Sequence, residues 1–187
     1  MSIEASPQTS SGSCWVGEGL KREMVCSPPL RLVLAWSGGM LDFITLQKAR
    51  SGEPSAAEEL SSAARALHRE LDRYVRGLEP AWPELPLSWS SCTPFVRLVL
   101  RTLSERVPYG EWVSYSGLAE LCGRPQAARA VGGAMSRNPW PLLVPCHRVL
   151  AKARGLGGFG AGLDLKEYLL ALEGISGAGD GRYIGGR

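Results

Sequence analysis

Pro80, Pro83, Pro86 and Pro94 crowd one short stretch of this chain, and no helix runs through such a stretch. Each proline lacks an amide hydrogen and turns the residue before it away from helical angles. The periodic segments on either side therefore belong to separate units, a small one over 30–80 and a larger one over 93–175, joined by a linker at 81–92. Outside them, the Ser-, Gly- and Pro-rich residues 1–29 read as a tail or loose cover, and 176–187 as a Gly-rich tail. At 187 residues and 44% apolar, the chain has material for a packed core, which excludes wholesale disorder.

In the first unit, Leu30–Trp36 and Leu41–Leu46 read as strands, and Ser37-Gly38-Gly39 between them is a turn signal, so a hairpin is expected. From Ser55 to Leu78 the period changes. Leu60, Ala64, Leu67, Leu71, Val75 and Leu78 recur at helical steps, with Ser55 and Glu58 as a capping box. His68 lies beside this stripe as a partly exposed helix residue.

The second unit opens with Thr93 as helix cap and Pro94 at the first position, and Phe95, Leu98, Val99, Leu103 and Val107 form its apolar face, with Arg97 and Arg101 projecting elsewhere. After the Pro108-Tyr109-Gly110 turn, Trp112–Tyr115 is extended. A short helix over 116–122 follows, ended by Gly123, and Pro125 starts another over 126–136. Two short helices joined by a Gly-containing turn have helix-turn-helix spacing. The second is built of small residues, Ala127, Ala128, Ala130, Gly132, Gly133 and Ala134. Each glycine inside a helix costs about 1 kcal/mol relative to alanine. Something approaches that backbone closely, either DNA or a neighbouring helix.

The net charge of +3 conceals an asymmetry. Residues 1–90 hold 9 Lys and Arg against 11 Asp and Glu, residues 91–187 hold 12 against 7, and 93–154 hold 9 against 3. Such a basic stretch can follow a phosphate backbone or form a mixed solvated surface. The five cysteines are far apart with no C-x-x-C pair, and His68 and His147 are the only histidines, which argues against a disulfide scaffold and a dedicated zinc site. No apolar run approaches the roughly 18 residues of a membrane helix, and 1–13 lacks a secretion-signal pattern, so a cytoplasmic protein without membrane contact is expected.

Chemistry concentrates in 138–149. Leu142–Val144 reads as a buried strand stopped by Pro145, which would deliver Cys146 and His147 to its end. A cysteine of pKa about 8.5 is mostly thiol near neutrality, so attack needs a base or a positive neighbour. Adjacent side chains diverge in an extended segment, so a bridging water between Cys146 and His147 is favoured over direct contact. Glu173, at the end of a Leu163–Glu173 helix closed by Gly174, is the best orienting acceptor for the histidine. An inert buried thiol and a solvated last-turn glutamate are the plain alternatives.

Pro145-Cys-His-Arg-Val149, with Ala127-Ala-Arg-Ala-Val-Gly-Gly-Ala-Met135 and Asn138-Pro139 before it, and Gly162-Leu163 and Lys166-Glu-Tyr-Leu-Leu-Ala-Leu-Glu-Gly174 after it, resembles the O6-alkylguanine-DNA alkyltransferases, or methylated-DNA–protein-cysteine methyltransferases. The resemblance covers 93–174, while 30–80 fits the family's variable N-terminal domain by general pattern. It implies an α/β protein: a small N-terminal α/β domain of the ribonuclease H-like kind, then a mostly helical winged-helix or helix-turn-helix alkyltransferase domain. It also implies direct reversal of DNA damage, without cofactor or metal. The base is flipped out through the minor groove, and the alkyl group of O6-alkylguanine, or of O4-alkylthymine, moves irreversibly to Cys146, once per molecule.

By the same resemblance His147 is the base acting through water and Glu173 orients it. Tyr115 assists the departing guanine and presses on the phosphate, and Asn138 braces the turn before the cysteine. Ser116, Arg124, Arg129 and Lys152 contact DNA, with Arg129 filling the space of the flipped base. Met135, Pro141, Val149, Phe159 and Gly160 form the substrate pocket, main-chain groups of Cys146, Val149 and Gly160 reading the guanine edge. The partner is double-stranded DNA carrying O6-alkylguanine. The protein is expected to be monomeric in solution, with cooperation between copies on DNA left open, and to reside in a bacterial cytoplasm or a eukaryotic nucleus.

This chain departs from the pattern in places. Phe159 stands where many members have Tyr, Gly160-Ala161 replaces Ser-Gly or Gly-Gly, and Val96 and Lys152 stand where some members place hydroxyl residues on phosphate. Cys146 argues against a non-enzymatic damage-recognition relative, which has Trp there. A transcription factor leaves the Pro-Cys-His-Arg block unexplained, and a conventional thiol hydrolase would need a free, sequence-distant catalytic histidine, which His68, read as a partly exposed helix residue, does not supply.

Overall fold

The computed structural model describes residues 19–49, 60–151, 155–175 and 182–183. The architecture is mixed α/β. Strands β1 (Lys21–Ser27), β2 (Leu30–Ser37) and β3 (Met40–Lys48) form an antiparallel sheet in that order, with Leu34 opposite Ile44 and a bulge between Ala35 and Trp36. The expected hairpin is present. β1 lies inside the segment read as a tail: its alternation is short, but Val25 and Cys26 are buried and Glu23 caps the next helix.

That helix, α1 (Ser62–Val75), packs on β1, and its N-cap is Ser61, whose hydroxyl accepts from the Ala64 amide. The proposed cap at Ser55 and Glu58 lies outside the described residues. The buried face is Ala64, Leu67, Leu71 and Tyr74, whereas Leu78 is 49% exposed. Helical geometry continues the stripe through Tyr74, three residues after Leu71, and the helix ends before Leu78. His68 is half-buried, its Nε2 3.1 Å from the Cys26 carbonyl oxygen.

α2 (Pro94–Arg106) starts as expected, Thr93 accepting from the Val96 amide. Its buried face is Val96, Val99, Leu100 and Leu103, and Leu98 is exposed. β4 (Glu111–Ser114) leads into α3 (Tyr115–Leu121), a turn with Gly123 at φ 66° follows, and α4 (Ala128–Met135) packs on α3 and α2. Gly132 faces the Tyr115 ring, but a Cβ there would meet it at 3.8 Å, an ordinary contact, so this neighbour does not by itself require glycine. β5 (Val149–Leu150) and β6 (Arg182–Tyr183) flank β4 in parallel, so part of the expected Gly-rich tail is paired. α5 (Leu163–Leu172) ends at Gly174, φ 73°.

Leu142–Val144 is not a strand. It is a tight turn with Leu142 at φ 74°, and Cys146 opens a single-turn 3-10 helix, Cys146–Arg148. The Asn138 side chain explains the difference, since it donates to the Val144 carbonyl at 2.9 Å and accepts from the Trp140 amide at 3.0 Å. With Pro139, Pro141 and Pro145 supplying no amide hydrogens, this side chain takes over the work of a ladder.

The linker does not separate two independent bodies. The Leu41 amide donates to the Pro86 carbonyl (2.8 Å), the Ser88 amide to the Leu41 carbonyl (3.0 Å), and the Ile44 amide to the Pro139 carbonyl (2.7 Å). The outer edge of β3 is thus closed by proline-containing segments, and one continuous core runs from β2 through α2 to Val149. Trp140 is fully buried on this seam and donates its indole N–H to the Leu41 carbonyl at 2.9 Å. Trp140→Ala is expected to lower the unfolding free energy by about 3–5 kcal/mol. Urea unfolding checks it: a loss under about 1 kcal/mol would remove Trp140 from the seam's energetics.

Candidate functional site

A cavity of about 650 Å³ opens between β3, α4 and the 158–161 loop. Cys146 is in its wall with Tyr115, Met135, Asn138, Pro141, Phe159 and Gly160, and Ile44, Thr45 and Leu46 of β3 close the opposite side. The site is therefore shared by both halves of the chain.

Burial pushes the Cys146 thiol above the ordinary cysteine range, while Asn138, Lys166 and the backbone amides of Cys146 and His147 pull it down. The resting sulfur is a thiol. His147 is fully buried, and its Nε2 lies 2.7 Å from Glu173 Oε1. Burial holds its pKa below the ordinary histidine value, against the opposing pull of Glu173. Its Nδ1 is buried with no hydrogen-bond partner among the described residues.

Glu173, the C-cap of α5, anchors this arrangement. Burial acts to raise its pKa, but His147 and Arg148 outweigh it and hold the carboxyl at about 2. Arg148 donates from Nε to Oε2 at 2.7 Å and from Nη2 to Oε1 at 3.1 Å, and its Nη1 donates to the Val107 carbonyl at 2.9 Å. The Gly110 amide reaches Oε2 at 3.4 Å, and the Tyr74 hydroxyl donates to Oε1 at 2.8 Å. With Glu173 ionised, His147 must present Nε2–H to it, which leaves Nδ1 as the free base.

Lys166 is also fully buried and donates to the carbonyls of Val149 (2.7 Å) and Leu156 (2.5 Å), tying β5 to the loop that roofs the cavity. Burial lowers its pKa to about 8, against the pull of Cys146. Tyr115 is held by the backbone of Gly158, and Gly157, at φ 65°, passes so close that a Cβ would lie 2.8 Å from the tyrosine oxygen. Only glycine fits there without moving one or the other.

Of the residues singled out from sequence, Cys146, Tyr115, Asn138, Met135, Pro141, Phe159 and Gly160 meet at the cavity, with His147 and Glu173 buried behind Cys146. Val149 is buried in β5 and does not line the cavity, its carbonyl accepting from Lys166. Ser116 is bonded to Ser114 at 3.0 Å, and Arg124, in the turn after α3, and Arg129, on α4, are exposed outside the cavity. Lys152 lies outside the described residues. Val96 faces the core at 4% exposure, so it is no phosphate contact. Sequence reasoning missed Tyr74, Lys166, Gly157, the β3 wall and the role of Arg148. A lysine between apolar Leu165 and Leu169, and an arginine between His147 and Val149, were the available signals of buried charge.

Residues 94–175 match the family model described as "6-O-methylguanine DNA methyltransferase, DNA binding domain". The chain is 36% identical over 150 residues to a methylated-DNA–protein-cysteine methyltransferase of Methanosarcina acetivorans, covering 79% of this chain and 94% of that one. It is 54% identical over 80 residues to the human protein of the same name, covering 43% of this chain but only 39% of the human protein's length. Among solved structures, Mycobacterium tuberculosis OGT in complex with DNA superposes with a TM-score of 0.65 at 35% identity, over 81% of this chain and 91% of that one. Among the described residues, no helix is long and apolar enough to cross a membrane.

The Glu173 carboxyl is depressed from 4.5 to about 2, so its stabilising contribution is complete above about pH 4.5 and is lost as pH falls toward 2. This amounts to about 3 kcal/mol. In Glu173→Gln the acid limb shrinks and stability at neutral pH falls by about 3–5 kcal/mol, because Arg148 keeps a buried charge without a counter-ion. Urea midpoints measured from pH 7 to pH 3 decide it, and identical slopes for the two proteins would refute the assignment.

Proposed function

The chain belongs to the methylated-DNA–protein-cysteine methyltransferase family, and from that premise we propose that it repairs O6-alkylguanine, and O4-alkylthymine, in duplex DNA by one irreversible transfer of the alkyl group to Cys146. The observation that carries the reading is a cysteine in a cavity wall backed by a buried histidine and an ionised glutamate.

The thiol is protonated at rest, so reaction begins with its proton passing to His147 Nδ1 through a bridging water. The imidazolium so formed is stabilised by Glu173. The sulfur electron pair then attacks the alkyl carbon, the carbon–O6 bond breaks, and its electron pair leaves with guanine. Tyr115 supplies the proton that guanine takes up, its hydroxyl kept protonated by burial. The thioether has no leaving group that water can displace, so each molecule acts once. Main-chain groups of Cys146, Val149 and Gly160 read the guanine edge. The Val149 carbonyl, already bonded to Lys166, retains a second lone pair for the base.

Reaching this cavity from a duplex requires the base to leave the stack, an unpairing that costs a few kcal/mol and less for a damaged pair. α4 fits a shallow minor-groove approach because its side chains are small, and exposed Arg129 on it is the residue to occupy the vacated space. Arg124 and Ser116 contribute phosphate contacts, as does Lys152. In fold terms, α3 and α4 with the small β4 sheet are read as a winged helix, and the N-terminal sheet with α1 as a reduced ribonuclease H-like domain.

Incubation with an oligonucleotide containing O6-methylguanine is expected to add one methyl group to the Cys146 peptide, seen by intact and peptide mass. No gain, or an equal gain in Cys146→Ser, would overturn the proposal, and binding without transfer would favour damage recognition alone. Arg129→Ala is expected to slow repair in duplex DNA by about 10²-fold or more while sparing reaction with free O6-alkylguanine. Equal losses on both substrates would remove its role in base flipping.

A further inference from the structure

Tyr74 belongs to α1, in the half of the chain remote in sequence from Cys146, yet its hydroxyl ends inside the charge cluster behind that cysteine. It is 1% exposed, its ring packs on Trp82 (centroids 5.7 Å) and edge-on to Tyr109 (6.2 Å), and its oxygen is 2.8 Å from Glu173 Oε1 and 3.4 Å from His147 Nε2. A phenylalanine would fill the same ring space without burying a hydroxyl. The hydroxyl is a donor here, because burial and the Glu173 charge keep the phenol protonated.

We propose that Tyr74 is a positioning residue for alkyl transfer, its hydroxyl fixing Glu173 and limiting how strongly that carboxylate draws the Nε2 proton of His147. The inference rests on the reading of His147 as the base for Cys146. Oε1 receives His147, Tyr74 and Arg148, and each donor takes a share of the same oxygen's electron density. A carboxylate with fewer donors is a stronger acceptor for the one that remains, so the N-terminal half adjusts the base from a distance. The charged and titratable groups facing this pair are Cys146 and Arg148 from the 3-10 turn, Lys166 from α5, Tyr109 from the turn before β4, and Tyr74 from α1.

The test uses the full chain labelled with ¹⁵N-histidine, which has only His68 and His147 to assign. In Tyr74→Phe the His147 Nε2–H proton resonance is expected to move downfield as its bond to Oε1 tightens. The acid limb of single-turnover transfer from an O6-methylguanine duplex should move up by about half to one pH unit. Trp82→Leu loosens the packing of the Tyr74 ring but keeps the hydroxyl, and is expected to lower the melting temperature without moving the resonance. An unmoved resonance in Tyr74→Phe, or the same displacement in Trp82→Leu, overturns the proposal. Should Tyr74→Phe fail to fold, 2,3-difluorotyrosine at position 74, a stronger donor, is expected to move the resonance upfield, and no movement is again a refutation. The resonance needs no DNA. Absence of transfer in the unsubstituted protein would therefore sink the repair reading and leave the Tyr74–Glu173 link to be decided separately.

Discussion

The Glu173 carboxylate is the point on which the rest of the molecule depends. A buried anion is tolerated only when its lone pairs are filled and a counter-charge is close. Glu173 meets both conditions by drawing in Arg148, His147, Tyr74 and the Gly110 amide. These groups come from α1, the turn before β4 and the 3-10 turn after Pro145, so one side chain at the end of α5 fixes the placement of three distant segments against its own helix. The same concentration of charge sets the tautomer of His147. Structural and chemical roles fall on one residue because the carboxylate must be satisfied before the fold is complete.

In front of that cluster, the cysteine is held as a neutral, buried thiol. Burial keeps the sulfur protonated, while Asn138, Lys166 and two backbone amides stand ready to stabilise the thiolate. A permanently ionised thiol would be open to adventitious oxidation and alkylation. Here the sulfur rests as a thiol, and in the proposed transfer those nearby groups would lower the barrier to its ionisation. Lys166 adds a mechanical link, since it spans Val149 and Leu156 and so couples the strand after the cysteine to the cavity roof.

Much of this was legible in the residues. The Thr93-Pro94 helix start, the Ser37-Gly38-Gly39 hairpin, the two short helices joined by a turn at Gly123 and the Gly174 stop each follow from local chemistry, and each is present. The cysteine, histidine and glutamate were legible as a set because residue types and spacing carry them. What escaped was set by tertiary contact. β1 was hidden because its alternation is brief and its partner supplies the register. The turn at 142–144 looked like a strand because an apolar run does not reveal that the Asn138 side chain will take the ladder's place. Tyr74 was read past because Val75 and Leu78 offered an apolar continuation of the stripe, and only the close of α1 decides between them.

The closed edge of β3 carries a consequence beyond the cavity. An uncovered strand edge is a template on which another chain can add a strand. On β3 the neighbouring carbonyls belong to Pro86 and Pro139, residues that have no amide hydrogen to offer on their far side. The prolines that break the chain into separate helices therefore also stop its sheet from propagating. The chain is thereby guarded against pairing with a second copy of itself where Leu41 and Ile44 are covered.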